Sequence, residues 1–144
     1  MTRKKILIAA FVVLLAGGYV AKSTVLAPAA VKLKVNGTIY VLPKDFTLNL
    51  ADGHYATLTV ALLLAPSQST GVADPANPPP TGFGTLPEEP LVRDIITNLL
   101  TDQTEATLLD ARGRARVEHQ ILVAIRKGTD VLVNQILFTD LAVQ

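Results

Sequence analysis

The sequence predicts an α+β protein, in which an N-terminal membrane helix precedes one small domain with helices on one face of an antiparallel sheet. Three observations predict this class: an apolar run flanked by basic residues, an alternating segment in mid-chain, and helical spacing of apolar residues further on. Alternation with period two is typical of half-buried strands, and the helical spacing is typical of amphipathic helices. The 144 residues leave room for one ordinary domain besides the anchor.

The first predicted element is a membrane helix over residues 6–21, which are all apolar. A helix of this length spans about 24 Å, a little less than the ~30 Å hydrocarbon core, and a snorkelling lysine extends it. Basic residues ahead of the run place the N-terminus in the cytoplasm and the domain outside. The residues that we expect to form the anchor are Ile6, Phe11, Leu14, Gly17, Gly18, Ala21 and Lys22.

A cleaved signal peptide is the alternative to this anchor, with a cleavage site at Ala27-Pro28-Ala29. The apolar run is longer than a typical signal-peptide core, and the site contains proline, so we favour the anchor. Gly17 and Ala21 either allow two helices to approach closely or reflect ordinary membrane-helix composition. The resulting domains are 1–27 (cytoplasmic start and helix), 28–37 (short linker) and 38–144 (periplasmic domain).

The charge distribution and the absence of cysteine exclude several kinds of function and site. The net charge is +1, but four basic residues flank the apolar run, and the rest of the chain has nine basic and twelve acidic residues. Such a domain has no electrostatic footprint for nucleic acid. With no cysteine, the chain has neither a disulfide framework nor a thiolate metal site.

Two strands are predicted near residues 45–51 and 54–65, joined by the turn dipeptide Asp52-Gly53. Residues 38–41 add a short strand that ends before Pro43. Residues 66–90 hold seven of the nine prolines and few large apolar side chains, which predicts a long exposed loop. This loop is either a spacer or a segment that docks on a partner in polyproline form.

The second half of the chain predicts two helices and a strand. The first helix begins near Glu89 and Pro90 and ends near Asp102, with apolar residues on one face. The second runs from an N-cap at Asp110, or from Thr107 onwards, to Gly128. Residues 131–143 return to strand character. The predicted order is therefore β-β-loop-α-α-β.

Charged residues of the two helices are the candidates for interaction. The neighbours Arg93 and Asp94 do not face each other on a helix. They either make separate contacts, Asp94 near the helix start and Arg93 to a loop or a neighbouring subunit, or lie on a solvated face. A basic stripe on the second helix either faces anionic headgroups or an acidic protein surface, or is simply solvated. Its residues are Arg112, Arg114 and Arg116, with Arg126 and Lys127 nearby.

Nothing in the sequence predicts catalysis, a metal site or a cofactor. His54 follows a turn and His119 lies beside Glu118, but neither histidine has a second carboxylate or another histidine at ligand spacing. The serines lie at the anchor or in the loop, without a nucleophile elbow, and no glycine-rich phosphate loop follows a strand. A cavity in which one of these histidines meets two carboxylates would change this interpretation.

Three segments of the second half of the chain match the motifs of one known family. Glu89-Pro90-Leu91-Val92-Arg93-Asp94-Ile95-Ile96 is similar to a P-x-x-R-D-x-(I/L) helix start, and residues 113–125 are similar to a G-x-x-x-L-x-x-x-I helix. The segment VNQILFTDLAVQ at 133–144 is similar to a V-x-x-V-x-F-T-x-F-x-x-Q ending. In these motifs the chain resembles the flagellar basal body-associated FliL family. The arginines of 112–116, Leu141 in place of an aromatic residue, and the many prolines of the loop depart from the family's pattern.

The resemblance implies a single-pass inner-membrane protein whose periplasmic domain is similar to the stomatin/prohibitin (band 7) domain. It further implies a non-catalytic role in motility, in which a homo-oligomeric ring binds and stabilises the stator ion-channel units of the flagellar motor. The alternative is a membrane-tethered periplasmic binding or assembly module with no flagellar role, which uses the proline-rich loop to engage a partner.

Overall fold

The computed structural model describes residues 35–144, in which three strands precede three helices and a fourth strand follows them, as the predicted α+β class requires. The short strand predicted after residue 38 is present, and the two longer strands begin and end within two residues of their predicted positions. The elements are β1 (Thr38–Val41), β2 (Phe46–Asn49), β3 (Tyr55–Leu64), α1 (Glu89–Thr101), α2 (Glu105–Leu109), α3 (Ala111–Gly128) and β4 (Val133–Val143).

The sheet is antiparallel and is built around β3, whose ten residues pair on both sides. One side of β3 pairs with β4 along its whole length, from Ala56↔Val143 to Leu64↔Val133. The other side is divided, since β2 pairs with its first half and β1 with its second half. Register shifts after Thr59 and after Leu63 interrupt the β3–β4 ladder. The described sheet is therefore three strands wide along most of β3.

The helices cover one face of this sheet, as predicted. The even-numbered residues of β3 are buried with the apolar faces of β2 and of the helices. On the opposite face, Ile39, Val41 and Tyr55 each remain about half exposed. Period-two alternation thus separates a core face from an outer face along β3. The core residues of α1 and α3 are Val92, Ile96, Leu100, Val117, Ile121 and Ile125.

The helices α1 and α3 lie side by side and run in opposite directions. The connection through α2 is short, and beyond the end of α3 the backbone amide of Asp130 donates to Glu88 Oε2 at the start of α1. The predicted N-cap of α3 is confirmed, because the Asp110 carboxylate accepts from the amide of Gly113 at 2.7 Å. The prediction of two helices was incomplete, since α2 is a separate helix capped by Thr104. Its five residues are too few for apolar periodicity to show.

The segment between β3 and α1 has no helix or strand, as the proline content predicts, but it is held at both ends. Near its start, Gln68 Oε1 accepts from the amide of Leu132 at 2.7 Å. Near its end, Leu86 is buried in the core and the amide of Gly84 donates to Glu89. Residues 71–78 between these points are exposed. The loop is therefore a pinned connection rather than a free linker.

The predicted membrane anchor and most of the predicted linker lie outside the described residues. Within residues 35–144, no helix combines the length and the apolar character needed to cross a membrane.

Candidate functional site

Charged side chains of the helical layer form the candidate interaction surface, and the structure divides the predicted residues into two groups. Arg93 and Arg114 bind backbone carbonyls of their own chain. Asp94, Arg112 and Arg116 are exposed. The second group is therefore available to a partner, and the first holds the fold together.

Arg93 connects α1 to the turn between β1 and β2. Its Nη2 donates to the carbonyl of Lys44 at 2.8 Å, and its guanidinium lies 4.4 Å from the centroid of the Phe46 ring. A guanidinium over an aromatic face is attracted by the quadrupole of the ring. Of the two predicted destinations for Arg93, a loop or a neighbouring subunit, the structure shows the loop. Its Nη1 is buried and has no hydrogen-bond partner within the described part of the chain.

Arg114 connects the start of α3 to the end of α2. Its Nη1 donates to the carbonyls of Leu108 and Leu109 at 3.0 and 2.9 Å. The last carbonyls of a helix have no partner within the helix, and the partial negative charge at that end of the helix also attracts a cation. Arg114 therefore belongs to the internal structure, although the sequence groups it with the exposed Arg112 and Arg116.

A buried carboxylate, which sequence reasoning missed, joins three parts of the fold. Glu89 is 1% exposed, and its Oε2 accepts from the hydroxyl of Tyr40 at 2.6 Å and from the amide of Gly84 at 2.9 Å. The Tyr40 hydroxyl in turn accepts from the amide of Leu86 at 3.3 Å. Burial and the bond to Glu89 raise the pKa of Tyr40 to about 12. The network thus links β1 and the loop to the start of α1.

The backbone next to Glu89 is also unusual. Glu88 has a positive φ of 58°, which is uncommon for a residue with a side chain. This left-handed turn redirects the chain from the loop into α1, so that Glu89 enters the core and Glu88 bonds the amide of Asp130. From the sequence, both glutamates read as ordinary charges at a helix start. The signal that could have singled out Glu89 is its place directly before the apolar stripe of α1.

His54 meets two carboxylates at the surface. Its Nδ1 lies 3.3 Å from Asp52 and its Nε2 lies 3.1 Å from Glu105, and the Glu105 amide donates to Asp52 at 2.8 Å. Partial desolvation raises the pKa of Asp52, but bonds from the amides of Glu105 and His54 and from the His54 ring outweigh it and lower that pKa below its ordinary value. Glu105 is distant in the sequence, which is why sequence spacing could not reveal this cluster.

The His54 cluster is not a catalytic cavity. The side chain of His54 is 45% exposed, and the three groups tie the β2–β3 turn to the start of α2. Among residues 35–144, no group of three or more His, Cys, Asp or Glu side chains is placed to hold a metal ion. The second histidine, His119, lines a small cleft of about 180 Å³ between α3 and β4, in which Glu118 is the one carboxylate.

An open groove of about 480 Å³ lies where α3 turns into β4. The Arg126 Nε donates to the carbonyl of Val133 at 2.8 Å, and on the same strand the Phe138 amide donates to Glu118 Oε1 at 3.4 Å. Among the described strands β4 pairs with β3 alone, and these side chains of α3 bond backbone groups of β4, which is one way in which proteins protect sheet edges from pairing.

Comparisons with known proteins add one finding to this geometry. The family model described as flagellar basal body-associated protein FliL matches residues 39–144, which is nearly all of the described domain. A search of curated proteins gave no match.

Proposed function

Because the chain belongs to the flagellar basal body-associated FliL family, we propose that it binds and stabilises the stator ion-channel units of the flagellar motor. Family membership itself means an accessory role at the flagellar basal body. The observation that supports the proposal is the match over residues 39–144, which includes every helix and strand of the described domain except the first residue of β1.

The proposed arrangement is a single-pass inner-membrane protein with a cytoplasmic N-terminus and a periplasmic domain. Residues 1–27 supply the membrane helix, and residues 28–37 hold the domain close to the bilayer. Several copies form a collar around a stator unit, and each copy contributes a weak contact. Linked contacts of this kind raise the overall affinity without a large interface on any one subunit.

The chemistry of the described residues supports binding rather than catalysis. The buried polar groups are used to connect elements, as Glu89 does with Tyr40 and Gly84. The charges that face solvent, Asp94, Arg112 and Arg116, lie on regular helices of the same layer. Exposed charges on rigid elements steer and orient a partner.

Co-purification and motility together test this proposal. The full-length chain, or a variant with Arg112→Glu and Arg116→Glu, replaces the native copy in its flagellated host. We expect stator subunits to co-purify with the full-length chain from membranes, and the double variant to recover fewer of them and to swim poorly in viscous medium. A matched control, Asn77→Glu with Thr81→Glu, adds charge to the exposed loop and should behave as the native chain does.

Two results would contradict the proposal. One is normal motility under viscous load in a strain that lacks the chain altogether. The other is recovery of the chain from membranes without stator subunits, under conditions in which the stator units themselves remain intact.

A further inference from the structure

Charge is segregated along the helical part of the chain. Residues 88–110, which contain α1 and α2, carry six acidic residues and one basic residue. The following helix, α3, carries five basic residues and one acidic residue. Because α1 and α3 lie side by side on the same face of the sheet, the helical layer presents an acidic helix next to a basic one.

The exposed face of α1 is acidic and has an apolar member. Asp94, Asn98 and Asp102 follow one another at helical spacing and are exposed, and Leu91 on the same face is 44% exposed. Asp94 accepts a bond from Asn98 at 3.2 Å. In residues 35–144 the ion pairs are those of His54 with Asp52 and Glu105, so neither Asp94 nor Asp102 has a cationic partner there.

The exposed face of α3 is basic and also has an apolar member. Arg112, Arg116 and Lys127 share this face with Val123, which is 50% exposed. The opposite side of the same helix supplies Val117, Ile121 and Ile125 to the core. The two exposed faces point outward from one layer, so a single copy does not bring them together.

We propose that the acidic face of α1 (Leu91, Asp94, Asn98 and Asp102) in one copy packs against the basic face of α3 (Arg112, Arg116, Val123 and Lys127) in the next copy. This inference rests on the self-association included in the proposed function and names the surfaces that carry it. In this proposal each copy uses its two faces for two different neighbours, so the contact is head-to-tail, and contacts of this type close into rings when the rotation permits.

A second copy explains more of the observations than other partners do. Anionic headgroups would match α3 but would leave the acidic face of α1 unmatched, whereas a second copy satisfies both. Leu91 and Val123 would form an apolar centre, with the charges around it, as in the usual anatomy of protein interfaces. The charges then set the orientation of the contact, and burial of the apolar centre supplies part of its affinity.

Cysteine crosslinking in membranes tests the contact directly. The chain has no cysteine of its own, so pairs can be introduced without background. Two differently tagged full-length copies are co-expressed, one with Leu91→Cys and the other with Val123→Cys, and oxidation should produce a dimer that carries both tags. The control pair, Thr47→Cys with Tyr55→Cys, lies on the outer face of the sheet and should give no such dimer.

Charge reversal then separates this contact from accidental proximity. Arg112→Glu with Arg116→Glu should reduce the mixed dimer about tenfold or more, since close charge pairs at interfaces couple strongly. With the two arginine substitutions in the Val123→Cys copy, adding Asp94→Lys and Asp102→Lys to the Leu91→Cys copy reverses the facing charges and should restore the crosslink. A misfolded variant could not be rescued in this way, so restoration would distinguish loss of the contact from loss of the fold.

The outcomes distinguish the inference from the proposed function. A ladder with a lysine-reactive crosslinker, but no Leu91→Cys–Val123→Cys dimer, would overturn this interface and leave the collar standing. Absence of any ladder would overturn the self-association as well, while stator co-purification is read independently. Arginine-dependent flotation with vesicles of anionic phospholipid, without the mixed dimer, would assign α3 to the membrane surface and would also overturn the inference.

Discussion

The bond between Tyr40 and Glu89 is the clearest case of one residue holding several elements of this domain. A buried carboxylate is costly unless hydrogen bonds replace the lost water, and here Tyr40 and Gly84 both donate to Glu89 Oε2. The other oxygen, Oε1, is buried without a hydrogen-bond partner within residues 35–144. The Glu89 carboxylate therefore depends on the two donors that bond Oε2. Removing one of these donors should therefore destabilise the junction of β1, the loop and α1.

Tyr40→Phe should destabilise the domain by about 1–3 kcal/mol, the typical cost of leaving a buried polar group without its partner. The measurement is denaturant unfolding of the full-length chain, monitored by a signal that reports on the domain. Tyr55→Phe is the matched control, because Tyr55 is half exposed and its loss should change stability by less than about 0.5 kcal/mol. Equal effects of the two substitutions would contradict the role assigned to Tyr40.

The same tyrosine should make the domain sensitive to alkaline pH. Its pKa is raised from the ordinary value of 10.0 to about 12, so between these values the unfolded chain has lost the proton that the folded chain still binds. Stability falls with pH wherever the folded state binds more protons, so the contribution of Tyr40 is present below pH 10 and is lost as pH rises towards 12.

The Tyr40→Phe protein should lack this part of the loss of stability at alkaline pH, and the Tyr55→Phe protein should retain it. The free energy of unfolding, measured from pH 9 upwards for the three proteins, checks the expectation. Parallel curves for Tyr40→Phe and the native chain would show that Tyr40 does not carry the alkaline sensitivity.

At the scale of the elements, the contact between α2 and α3 depends on a glycine. A Cβ on Gly113 would overlap the carbonyl oxygen of Thr107, which shows how closely the two helices approach at this point. The sequence offered Gly113 only as part of a helix motif. The need for a glycine at position 113 follows from the packing of α2, which was not predicted, against the start of α3.

Gly113→Ala should therefore destabilise the domain by about 1–3 kcal/mol, as overpacking does, even though alanine is the better helix former. Gly128→Ala is the matched control at the other end of α3, where a Cβ would meet the movable Ile95 Cδ1 at 3.2 Å. That change should be neutral or slightly stabilising. Thermal unfolding of both variants in the full-length chain measures the difference, and stabilisation by Gly113→Ala would refute the close approach.

How much of each element could be predicted depended on whether its signal is local. Alternation predicted β3 and helical spacing predicted α1 and α3, because burial on one face leaves a period in the sequence. The contacts at the junctions between elements could not be predicted. Arg114 caps α2 and Glu89 enters the core, and both roles depend on partners that tertiary packing brings near. Charge alone therefore grouped Arg114 with the exposed Arg112 and Arg116.

At the scale of the whole molecule, the turn at Asp52-Gly53 predicted the β2–β3 hairpin, and the structure confirms that antiparallel pairing, but the order of the other strands had no sequence signal. Nothing local indicates that β1 and β2 share one side of β3 while β4 occupies the other. This arrangement makes β3 the one strand of the described sheet that pairs on both sides. Residues 71–78 of the loop, by contrast, are all exposed.

Hydrogen exchange of the full-length chain should reproduce this order of protection. Amides of β3 require opening of the core before they exchange, so their protection should approach that of global unfolding, whereas amides of residues 71–78 should exchange fastest. In β4, the amide of Phe138 donates to Glu118 and the amide of Leu132, just before the strand, donates to Gln68, so both should exchange more slowly than those of the loop. Mass spectrometry with fragmentation to single residues measures this order. Protection of β3 no greater than that of the loop would show that the sheet does not have the three-strand arrangement on which the helical layer rests.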